Sequence, residues 1–108
     1  MSDVYQVNFS KWTDVQKDYK MQEPEPEEVL LAYYSYEDYS GSSYVFYRNG
    51  DKYYYNHGGH CSCYGLEGQW EPEEYENKEI FKTCLEKMYS KYDNELNDNL
   101  KIVIEKLG

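Results

Sequence analysis

Apolar residues recur at spacings of three and four near both ends of the chain, and they run or alternate between. Trp12, Val15 and Tyr19 predict a short N-terminal helix, capped by Ser10 and reaching about Met21. Val4 and Val7 ahead of it predict an edge strand or a loose end. Ile80, Phe81, Cys84, Leu85, Met88 and Tyr89 share one face of a helix that Asn77 can cap. Leu96, Leu100, Val103, Ile104 and Leu107 line a last helix, capped by Asp93 or Asn94 and ended by Gly108. These two helices predict an αα-hairpin. Cys84 within its apolar stripe reads as a small core residue.

Val29 to Tyr36 (VLLAYYSY) is a continuous apolar and aromatic run of strand length and predicts a central strand. Glu37 to Ser42 predicts a loop. Ser43–Arg48 and Lys52–Asn56 flank Asn49-Gly50, a strong hairpin signal because a type I′ turn needs positive φ at both central residues. That turn sets Arg48 opposite Asp51, Phe46 opposite Tyr53 and Tyr44 opposite Tyr55. One hairpin face then carries Tyr44, Phe46, Tyr53 and Tyr55, and the other Val45, Tyr47 and Tyr54 with Lys52. Both faces are aromatic, so either both are covered or one is a binding surface.

Pro24 and Pro26 preclude helix or ladder in residues 22–28, which read as a stiff, extended, anionic connector. His57 to Gly68 is glycine-rich and predicts irregular structure. Gln69 to Tyr75 returns as a strand that Pro72 confines to an edge or bulge. Strands beside segregated helices argue an α+β fold. The expected architecture is one domain over residues 1–108: a small antiparallel sheet of three to four strands covered by the C-terminal helical hairpin, with a short N-terminal helix.

At 108 residues, 15 of them Tyr, the chain supports one modest core, expected to be thinly aliphatic with a Tyr-rich rim. Aromatic residues make up 19%, which argues against disorder. The start lacks a basic and an apolar export region, and no apolar run approaches the roughly 20 residues of a membrane span. A soluble intracellular protein is expected, with no disulfide framework from its 3 Cys.

Charge changes the picture most. The formal net charge is −10, and all of it falls in residues 1–77, because residues 78–108 balance. Such a field repels nucleic acid and anionic lipid and attracts a basic groove on another protein. Residues 22–47 and 53–77 contain no Lys or Arg.

His57, His60, Cys61 and Cys63 gather four ligand-type side chains in one short segment. Their spacing suits zinc poorly: His60 and Cys61 are adjacent, C-x-C is tighter than the usual pair, and no second cluster closes a tetrahedron. A tight glycine turn packing small side chains under the sheet is the plainer reading. A Cys–His nucleophile is disfavoured because the anionic surroundings raise a thiol's pKa. Neither a phosphate-binding glycine loop nor a catalytic triad motif is present. No enzyme activity and no cofactor are expected. Arg48 is the lone Arg, so capture of a phosphorylated ligand is also disfavoured.

The string His60-Cys61-Ser62-Cys63-Tyr64-Gly65-Leu66-Glu67-Gly68-Gln69-Trp70-Glu71-Pro72-Glu73 resembles a segment of small uncharacterised bacteriophage proteins. The likeness extends over about residues 33–76 and includes the preceding hairpin. It implies a phage or prophage origin and a place in the cytoplasm of the infected or lysogenic bacterial host. It carries no activity to the Cys and His residues. Small acidic phage proteins are often inhibitors of host machinery, which is analogy from the class.

Charge and resemblance together predict a non-catalytic acidic inhibitor. It would bind the basic, nucleic-acid-binding groove of a host protein as a DNA mimic of anti-CRISPR or anti-restriction type. The candidate partner-binding residues are Glu23, Glu25, Glu27, Glu28, Glu37, Asp38, Glu67, Glu71, Glu73, Glu74 and Glu76, with Tyr36 and Tyr39 as aromatic anchors. The alternatives are a Tyr-rich interaction module or homodimer acting by shape, or a small metal-binding domain on the His/Cys segment.

Overall fold

Five strands form one sheet in the order β1-β2-β3-β4-β5. They are β1 Tyr5–Val7, β2 Glu28–Glu37, β3 Ser40–Asn49, β4 Lys52–His60 and β5 Glu73–Tyr75. The helices are α1 Trp12–Tyr19, α2 Lys78–Glu86 and α3 Asn94–Leu107. The structure is a computed structural model that describes residues 4–7, 9–37, 40–60, 66–89 and 94–107. The fold is α+β. Strands β2 to β5 pair antiparallel as expected, and β1 adds a fifth strand, parallel to β2. The parallel pair follows from connectivity, because α1 and the connector carry the chain back before β2 begins.

The hairpin turn sits one residue later than expected. Asn49 pairs with Lys52, Phe46 with Tyr55 and Tyr44 with His57. Asn49 is drawn into the strand because its Oδ1 accepts the Glu27 N–H at 2.8 Å. Gly50 and Asp51 make the turn, with positive φ at Gly50 alone (61°), the sign pattern of type II′. The β4 register slips by two residues against the expected one. Because side chains alternate with period two, an even slip leaves every residue on its expected face.

Two further expectations are corrected. The predicted loop at 37–42 is mostly strand, since β3 begins at Ser40 and Gly41 pairs with both Tyr36 and His60. His57 to His60 likewise belong to β4, with Gly58 and Gly59 opposite Ser43 and Ser42. At Gly58 the core leaves no room for a side chain, because Tyr19 and Leu66 lie against it. A β-bulge at Val29/Leu31 turns Leu30 and Leu31 into the same core, and Lys106 Nζ donates to the Leu30 carbonyl at 2.6 Å.

Ser10 does not cap α1. Lys11 holds the cap position without a side-chain bond, and the Ser10 N–H donates to Asp14 Oδ2 at 2.9 Å. The helix stops at Tyr19 because Lys20 turns left-handed (φ 52°) and the Met21 N–H closes on the Gln16 carbonyl at 3.0 Å. Asn77 does cap α2, accepting the Ile80 N–H at 2.9 Å. Replacing Asn77 by Ala should cost roughly 1 kcal/mol, read as a lower urea midpoint at unchanged slope.

Both faces of the sheet are covered. On one side Leu31, Phe46 and Tyr75 pack with Phe81 and Leu85 of α2 and Leu100, Val103 and Leu107 of α3. On the other, Ala32, Val45 and Tyr47 pack with Trp12, Val15 and Tyr19 of α1 and with Leu66. No bare Tyr-rich sheet face is left among the described residues. Nor do the tyrosines stay at the rim: Tyr19 is 0% exposed and Tyr44 1%. The Tyr19 hydroxyl donates to Ser43 Oγ at 2.8 Å, which satisfies it in the core. The α2 stripe is narrower than expected. Phe81 and Leu85 are buried, Cys84 is half-buried, and Ile80 and Tyr89 are exposed, because only one ridge of the helix meets the sheet.

Candidate functional site

The β5 edge gathers carboxylates from two distant parts of the chain. Glu23 is held by its backbone. Its carbonyl accepts from Trp12 Nε1 at 2.8 Å and Gln16 Nε2 at 2.7 Å, and its N–H donates to Met21 Sδ at 3.2 Å. The aromatic core residue Trp12 thereby fixes where the connector's first carboxylate lies. Glu74 is set by register, opposite Tyr54, whose hydroxyl donates to Glu74 Oε1 at 2.9 Å. Tyr54 is therefore hard to ionise, first through that bond, then through burial and the charges of Glu74 and Glu23. Glu23 also acts on Tyr47, whose pKa is raised mainly by burial.

Glu71 and Glu73 lie round the other side of the same edge. Pro72 has no N–H to continue the β4–β5 ladder, so the chain stands off from β4 and side chains bridge the gap. Gln69 bonds the Gly59 N–H through Oε1 and the Gly59 carbonyl through Nε2, both at 2.8 Å, as a neighbouring strand would. Asn56 Oδ1 accepts the Glu71 N–H at 2.8 Å. The gap is a cleft of about 350 Å³ with Tyr55, His57, Gln69, Glu71 and Glu73 on its walls. Glu73 and Glu74 thus point to opposite faces of β5, and Glu73 accepts the Tyr75 hydroxyl at 2.8 Å.

The remaining candidates are elsewhere. Glu27 and Glu28 meet Arg48 at 3.3 and 3.0 Å beside the hairpin turn, which offsets part of their charge. Glu67 lies 3.5 Å from Lys20. Glu25 accepts the hydroxyl of Tyr5, a β1 residue, at 3.1 Å. Glu76 is exposed just after β5. Tyr36 and Glu37 end β2, and their side chains lie outside the described residues, as do Asp38 and Tyr39. The eleven carboxylates do not make one patch. Among the described residues, Glu71, Glu73, Glu74 and Glu76 lie on or beside β5 without a cation paired to them, and Glu23 acts on Tyr54 next to them.

His57 is exposed and stacks on Tyr44 at 5.1 Å. His60 ends β4, and its side chain, like Cys61 and Cys63, lies outside the described residues. Among the described residues, no three His, Cys, Asp or Glu side chains are placed to hold a metal ion. No helix there is long and apolar enough to cross a membrane.

The buried tyrosines make the fold sensitive to alkali. Tyr19 is raised from 10.0 to about 12, chiefly by burial, which its bonds to Ser43 and Asn56 only partly oppose. Burial likewise raises Tyr47, Tyr55 and Tyr75. An acid whose folded pKa is raised keeps its full contribution below the unfolded value and loses it above. Stability should therefore hold up to about pH 10 and fall through pH 12, by about 3 kcal/mol from Tyr19 alone. Tyrosinate absorbance and loss of far-UV dichroism should rise together; titration of all tyrosines near pH 10 without unfolding would contradict this.

Comparison with family models, curated proteins and solved structures finds no match to this chain.

Proposed function

We propose that this protein is a non-catalytic inhibitor that presents the β5 edge to a basic, nucleic-acid-binding groove of a host protein. The observation that carries the reading is the convergence of Glu23 and Glu74 on Tyr54, from two stretches that contain no Lys or Arg. With Glu71 and Glu73 across the strand, the edge offers negative charge on both sides and rigid tyrosines between. A groove built for DNA meets about one charge per 1.7 Å of helix axis and reads that field with Lys and Arg. Tyr54 offers such a groove an aromatic face for guanidinium stacking. The partner is a protein, and nucleic acid is the competitor. The resemblance to small phage proteins supports a role against host defence nucleases, restriction enzymes or transcription proteins, in the bacterial cytoplasm.

The paired carboxylates enter differently. Glu27, Glu28 and Glu67 have cations beside them and contribute less net field. The test is the double variant Glu23→Lys/Glu74→Lys against Glu105→Lys on exposed α3 as control. Immobilised parent protein should retain a DNA-binding protein from bacterial lysate that added duplex DNA displaces. The double variant should lose that protein at least tenfold while its stability stays within about 1 kcal/mol of the parent. Equal retention by both variants would end the proposal.

A further inference from the structure

Strand β4 runs over Lys52–His60, but its ladder with β5 covers only Tyr53–Tyr55. Beyond Tyr55 its outer edge borders the cleft of about 350 Å³. The main-chain groups of Gly59 on that edge are taken by one side chain. The Gln69 carboxamide accepts from the Gly59 N–H and donates to the Gly59 carbonyl, both at 2.8 Å. A carboxamide carries the donor and the acceptor of a peptide unit. Gln69 thus places its amide where the next strand's peptide unit would stand, reaching there on two methylenes. Gly59 fits the same picture. At Gly58 the packing of Tyr19 and Leu66 requires glycine, whereas a Cβ at Gly59 would meet nothing nearer than the Gly41 carbonyl at 4.0 Å. Packing does not account for this second glycine, and close approach of another main chain does.

We infer that the outer edge of β4 around Gly59 is a strand-addition site, where an extended basic peptide segment of the partner replaces the Gln69 carboxamide. Strand addition draws affinity from main-chain bonds and selectivity from alternate side chains. Those that face the cleft meet Glu71 and Glu73, which belong to no ion pair among the described residues, beside the ring of Tyr55. Lysine or arginine at alternate positions suits such walls. The cleft is at the small end of ligand sites, which matches a short segment rather than a whole domain. Gln69 meanwhile acts as an internal ligand that keeps the open edge from pairing indiscriminately. This inference rests on the reading that the β5 edge faces a basic protein, and it adds which part of that protein enters.

The test titrates a capped heptapeptide of alternating threonine and lysine into the isotope-labelled full chain, with far-UV dichroism as a check on the fold of each variant. The Gly59 amide and the Gln69 side-chain amide resonances should move together as the peptide displaces the carboxamide. The same peptide methylated on its main-chain nitrogens keeps its charge but cannot pair, and it should bind about tenfold more weakly. Glutamate in place of lysine in the peptide should abolish binding. Gln69→Ala removes the internal competitor and should bind the peptide about fivefold more tightly. A side chain that only tied the chain to β4 would have the opposite effect. Equal binding of the methylated peptide, or weaker binding by a folded Gln69→Ala, overturns the inference; should Gln69→Ala not fold, the methylated peptide decides alone. A peptide that fails to bind while the lysate protein is still retained overturns the strand-addition site and leaves the proposed function standing. A peptide that binds as expected, while Glu23→Lys/Glu74→Lys retains the lysate protein like the parent, supports the site and ends that reading of the edge.

Discussion

Replacing Phe81 by Ala should destabilise the fold by about 3–5 kcal/mol, the largest effect expected of one substitution here. Phe81 is fully buried, and its ring lies 5.3 Å from Tyr53 and 5.1 Å from Tyr75. It is where α2 meets β4 and β5 together. Removing the ring leaves a cavity between α2 and the three-residue edge strand β5. Since domains of this size are stable by only about 5–15 kcal/mol, a large share of the total is at stake. Urea unfolding should show the midpoint falling steeply. A loss under 1 kcal/mol would mean that the helical layer does not depend on this contact.

Gly58→Ala should cost roughly 2–3 kcal/mol, although Ala normally improves on Gly within a strand. A Cβ at Gly58 would stand 2.7 Å from the Tyr19 hydroxyl oxygen and 2.9 Å from Leu66 Cδ2. Neither neighbour can move aside: both are buried, and the Tyr19 hydroxyl is bound to Ser43. Tyr19→Phe removes the atom nearest the new methyl. The double variant should therefore be more stable than the two single costs predict, by an interaction of about 1 kcal/mol. Strict additivity would show that the strain arises elsewhere. The alkaline transition offers a separate check, because Tyr19→Phe should also blunt the loss of stability between pH 10 and 12.

The periodic elements were legible in the sequence because local chemistry decides them. Asn77 caps α2 as its position before the apolar stripe requires, and the parity of Tyr44, Phe46, Tyr53 and Tyr55 assigned their face even though the turn was misplaced. The turn itself was decided by Asn49 reaching across to Glu27, a bond 22 residues away in sequence. The strand character of His57–His60 was hidden because glycines usually signal loops, whereas here Gly58 makes room for Tyr19 and Leu66. The two-sided core depended on α1 folding back over the sheet, which no local pattern specifies.

The candidate site divides in the same way. The sequence showed which stretches lack cations, and Glu23, Glu71, Glu73 and Glu74 were all among the residues named. It could not show that Arg48 sits between Glu27 and Glu28, that Lys20 reaches Glu67, or that Glu25 bonds the Tyr5 hydroxyl. Tyr54, Gln69 and Asn56 were missed as site residues. Continuing the β4–β5 register past Pro72 places Gln69 opposite Gly59, and that was the signal available for it.

The proposed inhibition depends on charge at the β5 edge acting as a stand-in for a polyanion. The measurement that addresses it most directly is the affinity between this protein and the DNA-binding protein it retains, followed across salt concentration with duplex DNA as competitor. Steep weakening as salt rises, mutually exclusive binding with DNA, and a shallower salt slope for Glu23→Lys/Glu74→Lys are expected. An affinity that ignores salt, or a complex that binds DNA as well as the free partner does, would contradict it.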